Sequence, residues 1–315
     1  MFYRYLINRL LWAIPVMLLV SILVFSLIHF IPGDPVVTML GSTASYDTIE
    51  AIRSKLFLDR PVIVQYFMWL GNVLKGDLGN SIVTGEPVSK VIFSRLPATV
   101  ILAFTSLLIA AIIAIFSGIT AAHKRNTIWD ISAMFFSVLG ISIPAFWLGI
   151  MFIILFALAL GWLPAMGYVS FFESPIQAVR HLAIPALSLG LINAGYLTRV
   201  IRTKMLDVLG QDYINMARAK GVKESVVVYR HAFKNASIPI VTVIGIQLAK
   251  LMGGTIIVEL IFAWPGIGRL VLQAINSRDY PVVQGVVLIS AFIFVLMNLI
   301  VDLIYRVLDP RVELS

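Results

Sequence analysis

The sequence contains no cysteine and few charged residues. Without a thiol, the chain can form no disulfide and use no thiolate as a nucleophile or metal ligand. Charged residues make up 13% of the chain and hydrophobic residues 60%, against about 25% and about 45–50% in soluble domains. A soluble fold of 315 residues cannot bury that much apolar surface, so the composition predicts an integral membrane protein.

Motifs for catalysis are missing as well. The sequence has no Gly-x4-Gly-Lys-Ser/Thr run to cradle phosphates and no Gly-x-Ser-x-Gly nucleophile turn. Its histidines lie far apart and lack metal-ligand spacing; they are His29, His123, His181 and His231. We therefore predict a non-catalytic chain with no metal site and no cofactor of its own.

Long apolar runs dominate what is present, and each is near the roughly 20 residues that a spanning helix needs. A cleaved signal peptide is the alternative for the first run, but that run is too long and no small-residue cleavage site precedes Pro32. The third is long enough to be tilted or to end in a re-entrant piece. The six candidate spans are Leu10–Ile31, Ala98–Ala122, Ile131–Leu160, Ala183–Arg202, Ile238–Phe262 and Val282–Val307.

The spans suggest three regions and one orientation. Residues 1–31 form the N-terminal tail and first span, 32–97 an extracytoplasmic helical segment, and 98–315 a core of five spans. An even number of spans places both termini on one side of the membrane. The short loops on that side carry the excess of Lys and Arg, which predicts cytoplasmic termini.

The segment 32–97 is too long for a simple loop, and we expect two or three short helices on the outer surface. One would begin at Pro61, a favourable first helical residue, and end before a turn between Gly76 and Gly79. An earlier one would place its apolar residues on one face, at Ile49, Ile52 and Leu56. The segment is either a cap over the bundle or a docking floor for an external protein.

The basic loop 203–237 joins the fourth and fifth spans. Residues from Asp212 onwards suit a short helix that ends at Gly221, where a left-handed residue is expected. Ser225 can cap a second helix that leads into the fifth span. Three interpretations compete: a solvated loop held by anionic lipid headgroups, a DNA-binding helix–turn–helix, and a docking element for a cytoplasmic partner.

A family resemblance favours the docking element. The stretches "IPGDP", "LKGDLGNS", "RLPATVILA", "DYINMARAKGV", "RHAFKNASIP", "GGTIIVELIFAWPGIGRL" and "NLIVDLIYRVLDPR" follow one another along nearly the whole chain. In this order they resemble permease subunits of binding-protein-dependent ABC importers, in the dipeptide/oligopeptide/nickel branch and of its first type. One departure concerns the wider Glu-Ala-Ala-x3-Gly pattern, because Asn215, Met216 and Ala217 precede Gly221 and the acidic residue is absent.

This resemblance implies an all-α type I ABC importer permease with about six transmembrane helices, an outer helical segment and a cytoplasmic coupling-helix loop. It would be a multi-pass protein of the bacterial cytoplasmic (inner) membrane and would take up di- or oligopeptides. Its partners would be a second homologous permease subunit, two ABC ATPase subunits that bind ATP and Mg, an extracytoplasmic substrate-binding protein and membrane lipid, with no nucleic acid. The predicted ATPase-coupling residues are Asp212, Tyr213, Asn215, Met216, Ala217, Arg218, Gly221, Arg230 and His231.

Other functions stay open at this point. The same machine could import nickel chelates, glutathione or another small solute. A secondary transporter would need inverted repeats or a polar pore, and the sequence has no evident repeat. A membrane-bound regulator would contact DNA through the basic loop.

Polar residues inside the spans are candidates for the transport path. Lys250 would cost about 2.5–3.5 kcal/mol in the middle of the fifth span, so it faces a path or a partner subunit, or it pairs with an acid on another span. Gln247, Lys250 and Gly254 share a helix face by spacing, and Glu259 near the outer end would hold the following loop. Asp302 and Arg306 have the spacing of a structural salt bridge within the sixth span.

Overall fold

The computed structural model describes residues 2–29, 36–37, 46–47, 50, 53 and 59–308. The described residues are predominantly helical, and π-helical turns at Ile153–Ala159 and Val227–Ala232 extend α5 and α8. "IPGDP" and the helix predicted around Ile49, Ile52 and Leu56 lie outside the described residues. The helices are α1 Phe2–Ser26, α2 Val62–Leu74, α3 Val88–His123, α4 Ile128–Ser142, α5 Ala145–Phe152, α6 Pro175–Leu209, α7 Asp212–Ala219, α8 Glu224–Val226, α9 Phe233–Gly254, α10 Ile256–Ile261, α11 Ile267–Asn276 and α12 Tyr280–Leu308.

Five described helical segments are long and apolar enough to cross a membrane, and the bent pair α4–α5 would make a sixth if its two halves form one span. The two halves of that pair meet at 101°. Pro144 explains the break, because a proline lacks the N–H of an α-helix and disfavours helical geometry in the residue before it. Ile143 is accordingly extended, with φ −85° and ψ 127°. The five to six candidate spans agree with the prediction of about six, and the bend in the third fits the predicted re-entrant piece as well as a broken span.

The fifth candidate span is also interrupted, which the sequence analysis did not predict. Helix α9 ends at Gly254 and α10 starts at Ile256, with Thr255 between them at φ −92° and ψ 16°. Two consecutive glycines, Gly253 and Gly254, weaken the helix at this point because glycine loses more conformational freedom in a helix than any other residue.

The chain divides into two compact units, and the first comprises residues 1–99 and 265–295. Its apolar core joins the start of α3 to α11 and the first turns of α12 through Val88, Ile92, Ile267, Leu270, Ala274, Val282, Val283 and Val286. Outside this core, α2 packs on α1: Tyr66 Oη lies 2.8 Å from Ser21 Oγ, and its ring contacts Phe25.

A buried carboxylate fixes the turn between Gly76 and Gly85 in the first unit. Asp279 accepts hydrogen bonds from the Ser81 hydroxyl and from the Ile82 N–H, and its residue is 4% exposed. Gly76 and Gly79 have φ of 85° and 79°, as the predicted turn requires. Helix α2 begins at Val62, one residue after the predicted start at Pro61, which precedes the helix with φ −57° and ψ 140°.

The second unit comprises residues 100–264 and 296–315. Within it α6 is the central helix, since α4, α5 and α9 all pack on it. Gly149 of α5 lies against Phe262, where a Cβ would come within 2.9 Å of the ring. The Gly167 N–H donates to the Phe262 carbonyl, and Tyr168 meets Trp264 edge-on at 4.9 Å between ring centroids. These contacts hold the segment after α10 on the α5–α6 face.

Candidate functional site

The basic loop contains a short helix, α7, as predicted. After α6 ends at Leu209, Gln211 is extended and α7 begins at Asp212. Asp212 lies in the first turn and Arg218 in the last, so both charges favour the helix dipole. Ile214 is completely buried, and this single apolar residue anchors α7 to the rest of the unit.

Gly221 ends this helical segment in the left-handed region, with φ 74°, as predicted. Its N–H donates to the Arg218 carbonyl, and the Val222 N–H donates to the Ala217 carbonyl. A Cβ at Gly221 would meet no atom within 4 Å. Glycine is therefore required here by its backbone conformation and not by crowding.

Arg218 and Glu224 connect the two helices of the loop. The guanidinium Nε and Nη2 donate to the two carboxylate oxygens at 3.2 and 2.9 Å. The His123 Nδ1 at the end of α3 lies 3.8 Å from Glu224 Oε1. The hydrogen bond to Glu224 raises the pKa of Arg218 above its usual value, because it stabilises the charged guanidinium. Glu224 of α8 thus contacts side chains from α3 and α7.

The second helix of the loop begins earlier than predicted, and capping by Ser225 is wrong. The chain is still extended at Lys223, and the Val226 and Val227 N–H groups donate to the Lys223 carbonyl. Ser225 therefore already lies in the first helical turn. The helix does continue into the fifth span, as predicted, through the π-helical turn Val227–Ala232. In that turn Arg230 is exposed and His231 is half-buried.

The outward face of α7 is part apolar and part polar. Tyr213 is 44% exposed and Met216 59%, and Asp212 and Asn215 are exposed beside them while Ala217 is half-buried. The Asn235 side-chain amide donates to the Tyr213 hydroxyl at 2.8 Å, which ties α7 to α9. The result is a small exposed surface that the Tyr213–Asn235 hydrogen bond connects to α9.

The polar residues predicted on one face of the fifth span have different surroundings. Gln247 is buried, and its amide donates to the Asn193 Oδ1 of α6 at 2.9 Å. Lys250 is exposed and has no ion-pair partner among the described residues. Gly254 is the last residue of α9. The pairing of Lys250 with an acid is thus not found in the described part of the chain.

Glu259 lies in the interior of the second unit and is fully buried. Its carboxylate accepts a hydrogen bond from the Thr255 hydroxyl at 2.7 Å, and its carbonyl accepts one from the Trp264 N–H. Ala263 between them has φ 51°. Glu259 therefore contacts the loop after α10. Asp302 and Arg306 both lie in α12, four residues apart, and their mutual pairing stays a prediction.

Sequence reasoning missed a second arginine–carboxylate pair. Arg202 of α6 donates to Asp130 of α4 with Nε and Nη2, at 2.5 and 2.7 Å, and the Asn126 N–H also donates to this carboxylate at 3.0 Å. The side chain of Asp130 is only 5% exposed. The available signal was an acid at the start of one apolar run and a base at the end of the next.

The described spans and the loop helix α7 are those of a multi-span helical membrane protein, and two family models assign its class. Residues 113–314 match the family model described as binding-protein-dependent transport system inner membrane component. Residues 1–103 match the model for the N-terminal part of such membrane components. The chain belongs to this family, so it is a transport component and not a catalytic subunit.

Relatives match along almost the whole chain. A Brucella suis protein, named as a peptide transport system permease with the assignment marked provisional, is 46% identical over 98% of both chains. The dipeptide transport system permease of Alkalihalophilus pseudofirmus and the glutathione transport system permease of Escherichia coli are each 42% identical over 98% of this chain and 99% of theirs.

One solved structure has a similar fold. It is the inward-facing MetNI methionine ABC transporter, with a TM-score of 0.55 and 20% identity. The similarity covers 69% of this chain and 96% of that one. At this identity it supports the fold alone.

Proposed function

We propose that this chain is one of two permease subunits of an ATP-driven importer that takes up di- or oligopeptides through a bacterial inner membrane. Relatives named for peptide and dipeptide transport, at 46% and 42% identity, support this substrate class. The excess of basic residues in the loops beside the termini supports cytoplasmic termini and a cytoplasmic basic loop. Segment 32–97 then lies on the outer side, where a separate binding protein delivers substrate.

The observation that carries the proposal is the α7 surface. Tyr213 and Met216 are large, apolar and exposed on a helix that three side-chain contacts hold to its neighbours: Ile214, Tyr213–Asn235 and Arg218–Glu224. We infer that α7 inserts into a cleft of an ABC ATPase subunit. Two such subunits bind ATP and Mg, because this chain has no phosphate-cradling motif.

Transport then follows from movement of α7. When the ATPases close on ATP, each coupling helix is displaced, and the tie through Asn235 passes this displacement to α9. The two permeases shift between inward-open and outward-open packings, which ATP and the loaded binding protein favour to different extents.

Lys250 is our proposed contact with the translocation path or with the second permease. An ammonium group on the exposed side of a spanning helix is strongly disfavoured against lipid. A water-filled path or a partner surface removes that penalty. Lys250→Met should therefore lower uptake while Lys250→Arg largely retains it. Equal uptake by both variants would contradict a charged contact there.

The testing experiment is purification of the tagged chain from its native membrane in mild detergent, followed by mass spectrometry of what accompanies it. Two ATPases, a second permease and a binding protein are expected. The absence of natural cysteine permits single-cysteine crosslinking: Met216→Cys should crosslink to an ATPase. Phe172→Cys is the matched control, because Phe172 is fully exposed but on the predicted outer side. A chain that purifies alone and crosslinks to no ATPase would overturn the proposal.

Glutathione is a second candidate substrate, favoured by the relative named for glutathione transport. Both candidates are peptide-bonded and carry free carboxylates. The co-purified binding protein can be titrated with alanyl-alanine, reduced glutathione and a nickel chelate. Whichever raises its melting temperature identifies the substrate class.

A further inference from the structure

Helices α4 and α6 are joined in a regular way within the second unit. The Asp130–Arg202 pair forms one tie, and the Ser137 hydroxyl donating to the Gly195 carbonyl forms another. Each residue of the second tie lies seven positions from its counterpart in the first, in opposite directions along the two helices. The ties are therefore two helical turns apart, about 10 Å, on one antiparallel contact face.

Near the second tie the backbones of α4 and α6 are also in direct contact. A Cβ on Gly195 would come within 2.7 Å of the Ser137 carbonyl oxygen, and one on Gly140 within 3.3 Å of the Leu191 carbonyl oxygen. The two backbones thus touch directly, and no flexible side chain separates them. Such a contact has little room for sliding, because packed interiors resist deformation.

One end of this contact face points along α6 towards α7, and the other lies near the break between α4 and α5. Arg202 is followed by the last turns of α6, which lead to α7 after Gly210 and Gln211. At the other end of α4 the helix stops at Ser142, beside the 101° break at Pro144. A displacement of α7 therefore reaches the broken span if α4 and α6 move together.

We propose that Asp130 and Arg202 are positioning residues that make α4 and α6 one rigid body, and that this body carries movement of the coupling helix to the break in the third span. The inference rests on the proposed function, since it requires that α7 is driven by an ATPase. It assigns a role in coupling to two residues that lie outside the coupling helix α7.

The test measures uptake per ATP hydrolysed by the complete importer in proteoliposomes, using radiolabelled alanyl-alanine or glutathione, whichever the wild type accumulates. Asp130→Asn and Arg202→Gln should lower this ratio by on the order of tenfold, within the range of coupling between distant sites. ATPase subunits should still co-purify and hydrolyse ATP. The double variant Asp130→Arg/Arg202→Asp should recover part of the ratio.

Thr198→Val is the matched control. Thr198 lies one turn before Arg202 on α6, and its hydroxyl is 2.7 Å from the Ser117 hydroxyl of α3. It ties α6 to a different helix, so its removal should leave the ratio near that of the wild type. An equal fall in this variant would indicate general loosening and would overturn the specific role of α4.

If the single variants lose the complex, a covalent link between positions 130 and 202 can replace the ion pair. In Asp130→Cys/Arg202→Cys, a bifunctional thiol reagent should raise uptake per ATP above that of the same protein treated with a monofunctional reagent. No rise, or wild-type ratios in Asp130→Asn and Arg202→Gln, would overturn the inference. A wild-type importer without ATP-dependent uptake would instead overturn the proposed function.

Discussion

Two arginine–carboxylate pairs in the second unit have the same chemistry and different surroundings. Arg202–Asp130 lies between packed helices, with side chains 22% and 5% exposed. Arg218–Glu224 lies in the basic loop, with side chains 38% and 43% exposed. Both pairs are bidentate, with Nε and Nη2 of the arginine donating to the two carboxylate oxygens. Hydrogen-bond geometry alone therefore does not distinguish them. The difference is that only the first is largely withdrawn from water.

Burial determines what each pair can do. A buried charge that loses its partner is left unsolvated, so removing one member is strongly destabilising. An exposed pair exchanges its partner for water at small cost. The inner pair, Arg202–Asp130, is therefore suited to fixing the position of a helix, while the outer pair, Arg218–Glu224, belongs to the surface that we propose binds an ATPase.

The largest expected effect is from breaking the inner pair. Asp130→Ala leaves the Arg202 guanidinium without its carboxylate, and the complex should lose about 3 kcal/mol of stability. Thermal unfolding of the purified complex measures this. Asp130→Ala/Arg202→Met should recover much of the loss, because no unpaired charge remains. An unchanged melting temperature in the single variant would show that water reaches this site freely.

The next effect concerns the backbone contact about two helical turns from the inner pair. Gly195→Ala places a Cβ against the Ser137 carbonyl oxygen, a backbone atom that cannot rotate away. Overpacking of this kind should cost about 1–3 kcal/mol and should lower the melting temperature. Gly71→Ala is the control, because a Cβ there meets nothing within 4 Å and alanine favours the helix.

A smaller effect is expected in the exposed loop from Gly221→Ala. The left-handed conformation should cost about 1–2 kcal/mol with any side chain, and the distorted α7 should lower uptake per ATP while ATPase subunits remain bound. Gly210→Ala is the matched control: Gly210 ends the neighbouring helix with φ −82°, which alanine adopts without strain. Wild-type coupling in Gly221→Ala, or equal loss in both, would contradict a role for the left-handed turn.

The smallest effect is expected from the outer pair. Arg218→Gln should change stability by about 1 kcal/mol or less, and the difference should shrink with added salt because exposed charges are screened. Melting curves at low and high ionic strength measure both. A salt-independent loss as large as that of Asp130→Ala would show that the two pairs are equivalent after all.

Local signals explain what the sequence could predict. The apolar runs identified the spans, and the helix Asp212–Ala219 with its left-handed Gly221 followed from residue types over a few positions. The length of the third run predicted a span that is tilted or ends in a re-entrant piece, but the break at Pro144 was not predicted, because a proline limits a helix without setting the angle at which the chain resumes.

The features that the sequence could not predict depend on contacts between residues far apart in the chain. Asp130 and Arg202 are 72 residues apart, and nothing in one sequence marks them as partners. Gln247 and Lys250 share a face by spacing, yet one is buried against Asn193 and the other is exposed. Which residues of a helix face are buried depends on the neighbouring helices, and the spacing of residues in the sequence carries no information about those neighbours. The prediction that Ser225 caps the second helix was wrong for a local reason, because the helix already begins after Lys223.

The contact between Ser81 and Asp279 has a consequence for synthesis of the protein. These residues are 198 positions apart, and the core of the first unit likewise joins α3 to α11 and α12. At the ribosome's roughly 5–20 residues per second, the first 99 residues wait on the order of 10–40 s for their partners. During that interval the early segments lack the contacts that complete their core, so their apolar surface stays exposed until the last span is being made.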